Sequence, residues 1–181
     1  PEPRYQVDIT GQPSFGPRHP TVTIAFLGDY LSPDTAKMLT TLTAIQRRYP
    51  RDVKVVWFDQ PRRTHAQAMR AAVAGWEVFQ QRGNAGFWRF VRYVLPRQAR
   101  LRQGGRGAET LLRQATRTAR ADGRRVRVAV SRLTHQPLIQ GWFRKRKHLA
   151  FWRPPGLFIN GRLIRERLVR QRLETLVRQE R

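Results

Sequence analysis

The chain has 181 residues and a mass of 21.2 kDa, with 36 Lys+Arg against 12 Asp+Glu, a formal net charge of +24. It contains no cysteine, which excludes disulfides, thiolate nucleophiles, Cys-ligated zinc and iron–sulfur clusters. The length suits one domain with its own core, and no apolar run approaches the roughly 20 residues that a membrane span needs.

The remaining composition narrows the field further. His19, His65, His135 and His148 are scattered with no ligand spacing, so neither a metal nor a cofactor is expected. Residues 1–95 carry 13 basic and 7 acidic side chains, whereas residues 96–181 carry 23 and 5. The second half is where an anionic surface or polymer would be drawn. The chain opens at Pro1 without a methionine and shows no signal peptide, so a processed form or an excised domain is expected.

Residues 1–20 are proline-rich and unpatterned and read as an N-terminal arm or linker. Val22–Leu27 is a short β-branched and aromatic run of the length of a buried strand. After Ser32 a helical pattern places Met38, Leu42, Ile45 and Tyr49 on one face, and Pro50 closes it. Val53–Phe58 reads as a second strand, so strand, helix and strand form a βαβ unit with a parallel pair. A helical period resumes at Thr64, with Met69, Ala72, Val73, Trp76 and Phe79 on one face.

Asn84–Gly86 should interrupt that helix before Phe87–Leu95 resumes it. Pro96–Gly107, with three glycines and four arginines, reads as a basic loop. Further helices are expected over Glu109–Ala121, Val126–Leu133 and Leu138–Ala150. Asn160-Gly161 between Leu157-Phe158-Ile159 and Arg162-Leu163-Ile164 is a strong hairpin signal, because both turn positions need positive φ. A closing helix carries Leu168, Val169, Leu173, Leu176 and Val177 on one face.

Five segments in this order resemble the DsbA-type thioredoxin-fold disulfide oxidoreductases. They are Gly16–Phe26 (G-P-R-H-P-T-V-T-I-A-F), Gly28–Ala36 (G-D-Y-L-S-P-D-T-A), Thr64–Met69 (T-H-A-Q-A-M), Phe87-Trp88 and Arg153–Arg162 (R-P-P-G-L-F-I-N-G-R). The resemblance implies an α/β thioredoxin-like fold over residues 21–181, with a helical insertion over about 64–150. It also implies a location outside the cytoplasm.

Two departures from the family pattern decide the functional expectation. Where the family has a C-P-x-C pair at a helix start, this chain has Ser32-Pro33-Asp34-Thr35. A helix N-terminus stabilises a thiolate, but a serine hydroxyl without a general base stays un-ionised. Disulfide exchange by this chain is therefore excluded, and these four positions read as a vestigial site. Ser32 also suits an N-cap, with Pro33 at the first helical position and Asp34 complementing the dipole.

The second departure is Pro154-Pro155. The resemblance places Pro155 on the family's cis-proline, where the preceding residue grips substrate backbone through N–H and C=O. Pro154 has no N–H; the pair could equally serve to stiffen the approach to the hairpin.

The expected function is thus a redox-inactive module that binds without covalent chemistry, within a protein partnership or larger assembly. Two other readings stand beside it. Asp29–Ala36 also resembles the D-F-x-S-P segment of kappa-class glutathione transferases and 2-hydroxychromene-2-carboxylate isomerases, which implies glutathione as cofactor and Ser32 as its thiolate stabiliser. The stretch Gln140–Arg153, with Arg144, Lys145, Arg146 and Lys147 among aromatics, could bind nucleic acid, an anionic glycan or anionic lipid. The same stretch fits a core helix built on Ile139, Trp142, Phe143, Leu149 and Ala150 with a solvated basic ridge. His65 is expected to cap or pack, and Asp29 either to be structural or to face Ser32.

Overall fold

The computed structural model describes residues 3–62, 64–145, 156–164 and 170–181. Strands β1 (Ser14–Phe15), β2 (Val22–Gly28) and β3 (Val53–Asp59) frame helix α1 (Pro33–Arg48). Helices α2 (Ala66–Val94), α3 (Gln98–Gln103), α4 (Gly105–Thr118), α5 (Gly123–Arg132) and α6 (Gln136–Lys145) follow. Strands β4 (Gly156–Ile159) and β5 (Arg162–Ile164) and helix α7 (Arg170–Glu180) close the chain.

The sheet runs β1-β3-β2-β4-β5. β2 and β3 pair in parallel from Val22↔Val53 to Gly28↔Asp59, as a βαβ unit requires, while the other neighbours are antiparallel. Alternate residues of these strands feed two separate cores. Ile24, Phe26, Val55 and Trp57 belong to the larger cluster with α1, α2 and the helical block, whereas Ala25, Leu27, Val56 and Phe58 belong to a smaller one. With both sheet faces covered, the strands read as continuous apolar runs.

Trp57 is the hub of the larger core, with Phe26, Tyr30, Phe87 and Trp88 rings at centroid distances of 5.3, 5.5, 6.2 and 6.2 Å. Its indole packs against β2 at Gly28, where an added Cβ would collide with the ring. Only glycine leaves room for that contact.

Between β3 and β4 the described chain is helical. α2 is buried on every side from Ala71 to Val78 because it lies between the sheet and the other helices. Its interruption falls at Gly83 (φ 58°), one residue before the expected Asn84–Gly86, since glycine tolerates that φ at little cost. The expected loop over Pro96–Gly107 is instead a short 3-10 turn over Leu95–Arg97, then α3, then α4 from Gly105. Leu101, buried in the main core, draws this arginine-rich segment into a helix, and Gly104 (φ 70°) makes the break between α3 and α4. Glu77 of α2 ties the block together, meeting His135 Nε2 at 2.9 Å, Arg125 Nη2 at 3.2 Å and Gln81 Nε2 at 2.9 Å.

The hairpin forms as expected, with Asn160 and Gly161 at φ 47° and 80°. Asn160 does more than turn: its Oδ1 accepts from Thr23 N at 2.8 Å and its Nδ2 donates to Thr21 O at 3.1 Å. The N-terminal segment, which reads as an arm from sequence, lies along this end of the sheet. Tyr5 N donates to Gly161 O at 2.8 Å, Arg4 forms a two-pronged pair with Glu180 at 2.9 and 3.0 Å, and Tyr5, Val7 and Ile9 pack on the smaller core. The bonds from Arg4 hold the Glu180 carboxyl below its usual range.

Candidate functional site

The turn from β2 into α1 is where the sequence places the vestigial positions. Asp29 organises it. Its Oδ1 accepts from Leu31 N at 2.8 Å, its Oδ2 accepts from Arg62 N at 3.2 Å and meets His65 Nδ1 at 3.3 Å, and its backbone N–H donates to Thr35 Oγ1 at 3.2 Å. Only 1% of Asp29 is exposed. The carboxylate thereby staples the start of α1 to the loop that leads into α2, and it does not bond the Ser32 side chain.

Ser32 is 8% exposed and stands at the N-cap position with extended backbone (φ −90°, ψ 117°). The expected cap is absent: its hydroxyl makes no capping bond, because Thr35 N, a donor such a cap would take, goes to the Ser32 carbonyl at 3.0 Å. Pro33 and Asp34 are exposed, Asp34 lying 3.9 Å from Lys37, while Thr35 is buried. His65, at the start of α2, is engaged with Asp29 and has no bond to Ser32. Asp29, His65 and Ser32 therefore do not form a nucleophile–base relay.

Two side chains that sequence reasoning passed over close this turn from α3. Gln98 Nε2 donates to Ser32 O at 2.8 Å, and Arg102 Nη2 donates to Leu31 O at 2.9 Å. Their i, i+4 spacing on one helix face was the available signal, hidden by the loop-like composition of the segment.

The remaining sequence candidates divide by position. Pro154, Pro155, Arg146 and Lys147 lie outside the described residues. Arg144 and Lys145 end α6, whose Ile139 is buried in the main core and whose Trp142 packs on Phe58 at 4.3 Å. Among the described residues no group of three or more His, Asp or Glu could hold a metal ion, and no helix is long and apolar enough to cross a membrane.

A second buried carboxyl was not anticipated. Asp59 ends β3 and is 6% exposed. Trp57 Nε1 donates to its Oδ1 at 2.8 Å, while its Oδ2 accepts no hydrogen bond. Burial pushes its carboxyl up to about 7, opposed by the Trp57 and Trp76 indoles and reinforced by Asp29. The same burial, with Asp59 nearby, raises the Tyr30 hydroxyl well above its ordinary range. The sequence signal was the i, i+2 spacing of Trp57 and Asp59 on one face of a strand.

No protein-family model matches the chain, and no curated protein matches it. Solved structures do. BdbD from Bacillus subtilis, in its oxidised form, aligns with 99% of this chain and 97% of its own at a TM-score of 0.83 and 19% identity. The thiol-disulfide exchange protein alpha-DsbA2 from Wolbachia pipientis covers 94% of this chain and 87% of its own at 0.75 and 15% identity. A periplasmic thioredoxin-like protein from Salmonella enterica serovar Typhimurium covers 97% and 98% at 0.73 and 18% identity. At these identities the likeness speaks for architecture. The chain has the DsbA-like thioredoxin fold, with an insertion of helices and without either cysteine of the C-P-x-C pair.

Proposed function

We propose that the chain is a redox-inactive DsbA-like module that works by non-covalent contact, docking an anionic or protein partner through its basic C-terminal half. The observation that carries this reading is the state of the turn at Ser32: a buried serine whose hydroxyl has no cap bond and no base, with carbonyls at 31 and 32 tied down by Arg102 and Gln98. A thiol-dependent fold that keeps its shape but has a hydroxyl in place of sulfur can hold a partner and cannot exchange disulfides. Residues 96–181 supply the attraction, with 23 basic side chains against 5 acidic. The resemblance sets Pro155 on the family's cis-proline, and Pro154 and Pro155 are proposed as part of the binding surface by that resemblance alone. By likeness to the Salmonella protein, the module works outside the cytoplasm.

The test is a binding titration against heparin as a sulfated polyanion and against glutathione. Retention on heparin should fall steeply with salt, as counterion release requires, and should weaken when Arg144, Lys145, Arg146 and Lys147 are neutralised. Glutathione should leave the melting temperature unchanged. A glutathione-dependent rise in melting temperature that Ser32→Ala abolishes would establish the transferase or isomerase reading instead. Salt-insensitive capture of a protein would keep the module and discard the anionic partner.

A further inference from the structure

Helices α4 and α5 pack on α2 and on each other, and they carry arginine that the turn at Ser32 does not use. Residues 105–132 hold eight arginines against two carboxylates, Glu109 and Asp122, and all eight arginines are exposed. Asp122 is committed to the start of α5, where its Oδ1 accepts from Arg124 N and Arg125 N at 2.8 and 3.3 Å. Arg125 pairs with Glu77 at 3.2 Å. Among the described residues the other seven guanidinium groups have no ion pair.

The helical period decides where these groups stand. α4 buries Ala108, Leu111, Leu112 and Ala115, and Arg106, Arg113 and Arg117 fall on its opposite side, seven and four residues apart. They span about 16 Å of helix. α5 buries Val126, Ala129 and Val130, which leaves Arg124, Arg127 and Val128 on the outer side. Val128 is 42% exposed, one of two large apolar side chains so exposed among the described residues. Two neighbouring helices laid on a third present a broad face rather than a cleft, with about 8–10 Å between their axes.

That face limits its partner. A protein interface draws its energy from aromatic and other large anchors, and single-stranded nucleic acid is stacked on aromatic rings. Neither helix contains an aromatic residue. An anionic bilayer needs none, since it attracts surface arginine by charge. It also takes up the aliphatic stems of arginine and a shallow apolar side chain such as Val128.

We propose that the α4–α5 face docks on the surface of an anionic phospholipid bilayer, with Arg106, Arg113, Arg117, Arg124 and Arg127 on the headgroup phosphates. The inference rests on the anionic-partner reading above and places the contact on these two helices.

Co-sedimentation of the purified chain with vesicles tests it. Mixed phosphatidylglycerol and phosphatidylcholine vesicles should bind the chain, pure phosphatidylcholine should not, and added salt should release it. An arginine near the surface contributes about fivefold, so Arg113→Gln with Arg117→Gln and Arg124→Gln should weaken binding about 100-fold and leave the fold intact by circular dichroism. Arg18→Gln with Arg47→Gln and Arg51→Gln removes the same charge from exposed positions off these helices, and it should weaken binding less than about tenfold. Equal losses in the two variants, or undiminished binding after the α4–α5 changes, would overturn the placement. Tighter binding of duplex DNA than of the mixed vesicles, or retention on heparin without vesicle binding, overturns the bilayer and leaves the anionic-partner reading standing. Binding to none of the three overturns both.

Discussion

Two aspartates stand at the ends of adjacent parallel strands, and the protein treats them in opposite ways. Asp29 follows Gly28, the last residue of β2, and Asp59, the last residue of β3, is in register with that glycine. Both are almost wholly buried. Asp29 meets two backbone N–H groups and one imidazole. Asp59 has the Trp57 indole on Oδ1, the Trp76 indole nearby, and no backbone donor. Burial alone does not settle what a carboxylate does; the count and direction of the donors that meet it does. The first has become a structural staple, and the second keeps one oxygen enclosed without a hydrogen bond.

That contrast can be broken by protons first. The Asp59 carboxyl moves from its ordinary 3.8 up to about 7 on folding. Between those values the folded chain holds a proton that the unfolded chain has released, so stability should fall as pH rises from about 4 to 7 and level off above. The full shift corresponds to at most about 4 kcal/mol. Denaturant unfolding at a series of pH values should show this slope, and Asp59→Asn should flatten it while gaining stability above neutrality. A slope that survives Asp59→Asn would place the effect on another group.

Removing the staple should cost the next largest amount. Asp29→Ala leaves Leu31 N, Arg62 N and His65 without their acceptor, and we expect a loss of about 2–4 kcal/mol in urea unfolding. Equal effects of Asp29→Ala and Asp59→Ala would erase the distinction drawn here. Gly28→Ala, which forces a Cβ into the Trp57 ring between the two aspartates, should cost about 1–3 kcal/mol by overpacking and shift the tryptophan emission.

Smaller effects sharpen the picture at the turn. Gln98→Ala and Arg102→Ala should each cost about 1 kcal/mol, the value of a hydrogen bond to a buried carbonyl. Ser32→Ala should change stability by less than about 0.5 kcal/mol, because the hydroxyl makes no capping bond, where a working cap contributes about 1. A loss of a full cap's worth would show that the hydroxyl is engaged after all.

Much of the architecture was readable in advance because it rests on local signals. Val22–Leu27 and Val53–Phe58 are apolar runs too short for helices, and Asn160-Gly161 admits few conformations other than a tight hairpin. The misreadings have a common physical origin. Pro96–Gly107 looks like a loop until Leu101 is seen to fill the main core, and burial outweighs composition. The segment at residues 3–15 lacks a helical or long strand pattern, yet the alternation Tyr5, Val7, Ile9 gave it one apolar side, which the smaller core uses. At the candidate site, Ser32 and its neighbours were legible in the sequence through the resemblance to the C-P-x-C segment, whereas Gln98 and Arg102 are 66 and 71 residues from the carbonyls that they hold.

The order of strands and helices, the absence of thiol chemistry and the excess of positive charge were all fixed by the amino-acid sequence, since each depends on residue identity or on periodicity over a few neighbours. The anchoring of the carbonyls at 31 and 32, the pairing of Asp29 and the enclosure of one Asp59 oxygen without a hydrogen bond were decided only by tertiary structure. Those properties depend on which distant donors arrive within hydrogen-bonding range, and that is set by packing of elements that lie far apart along the chain.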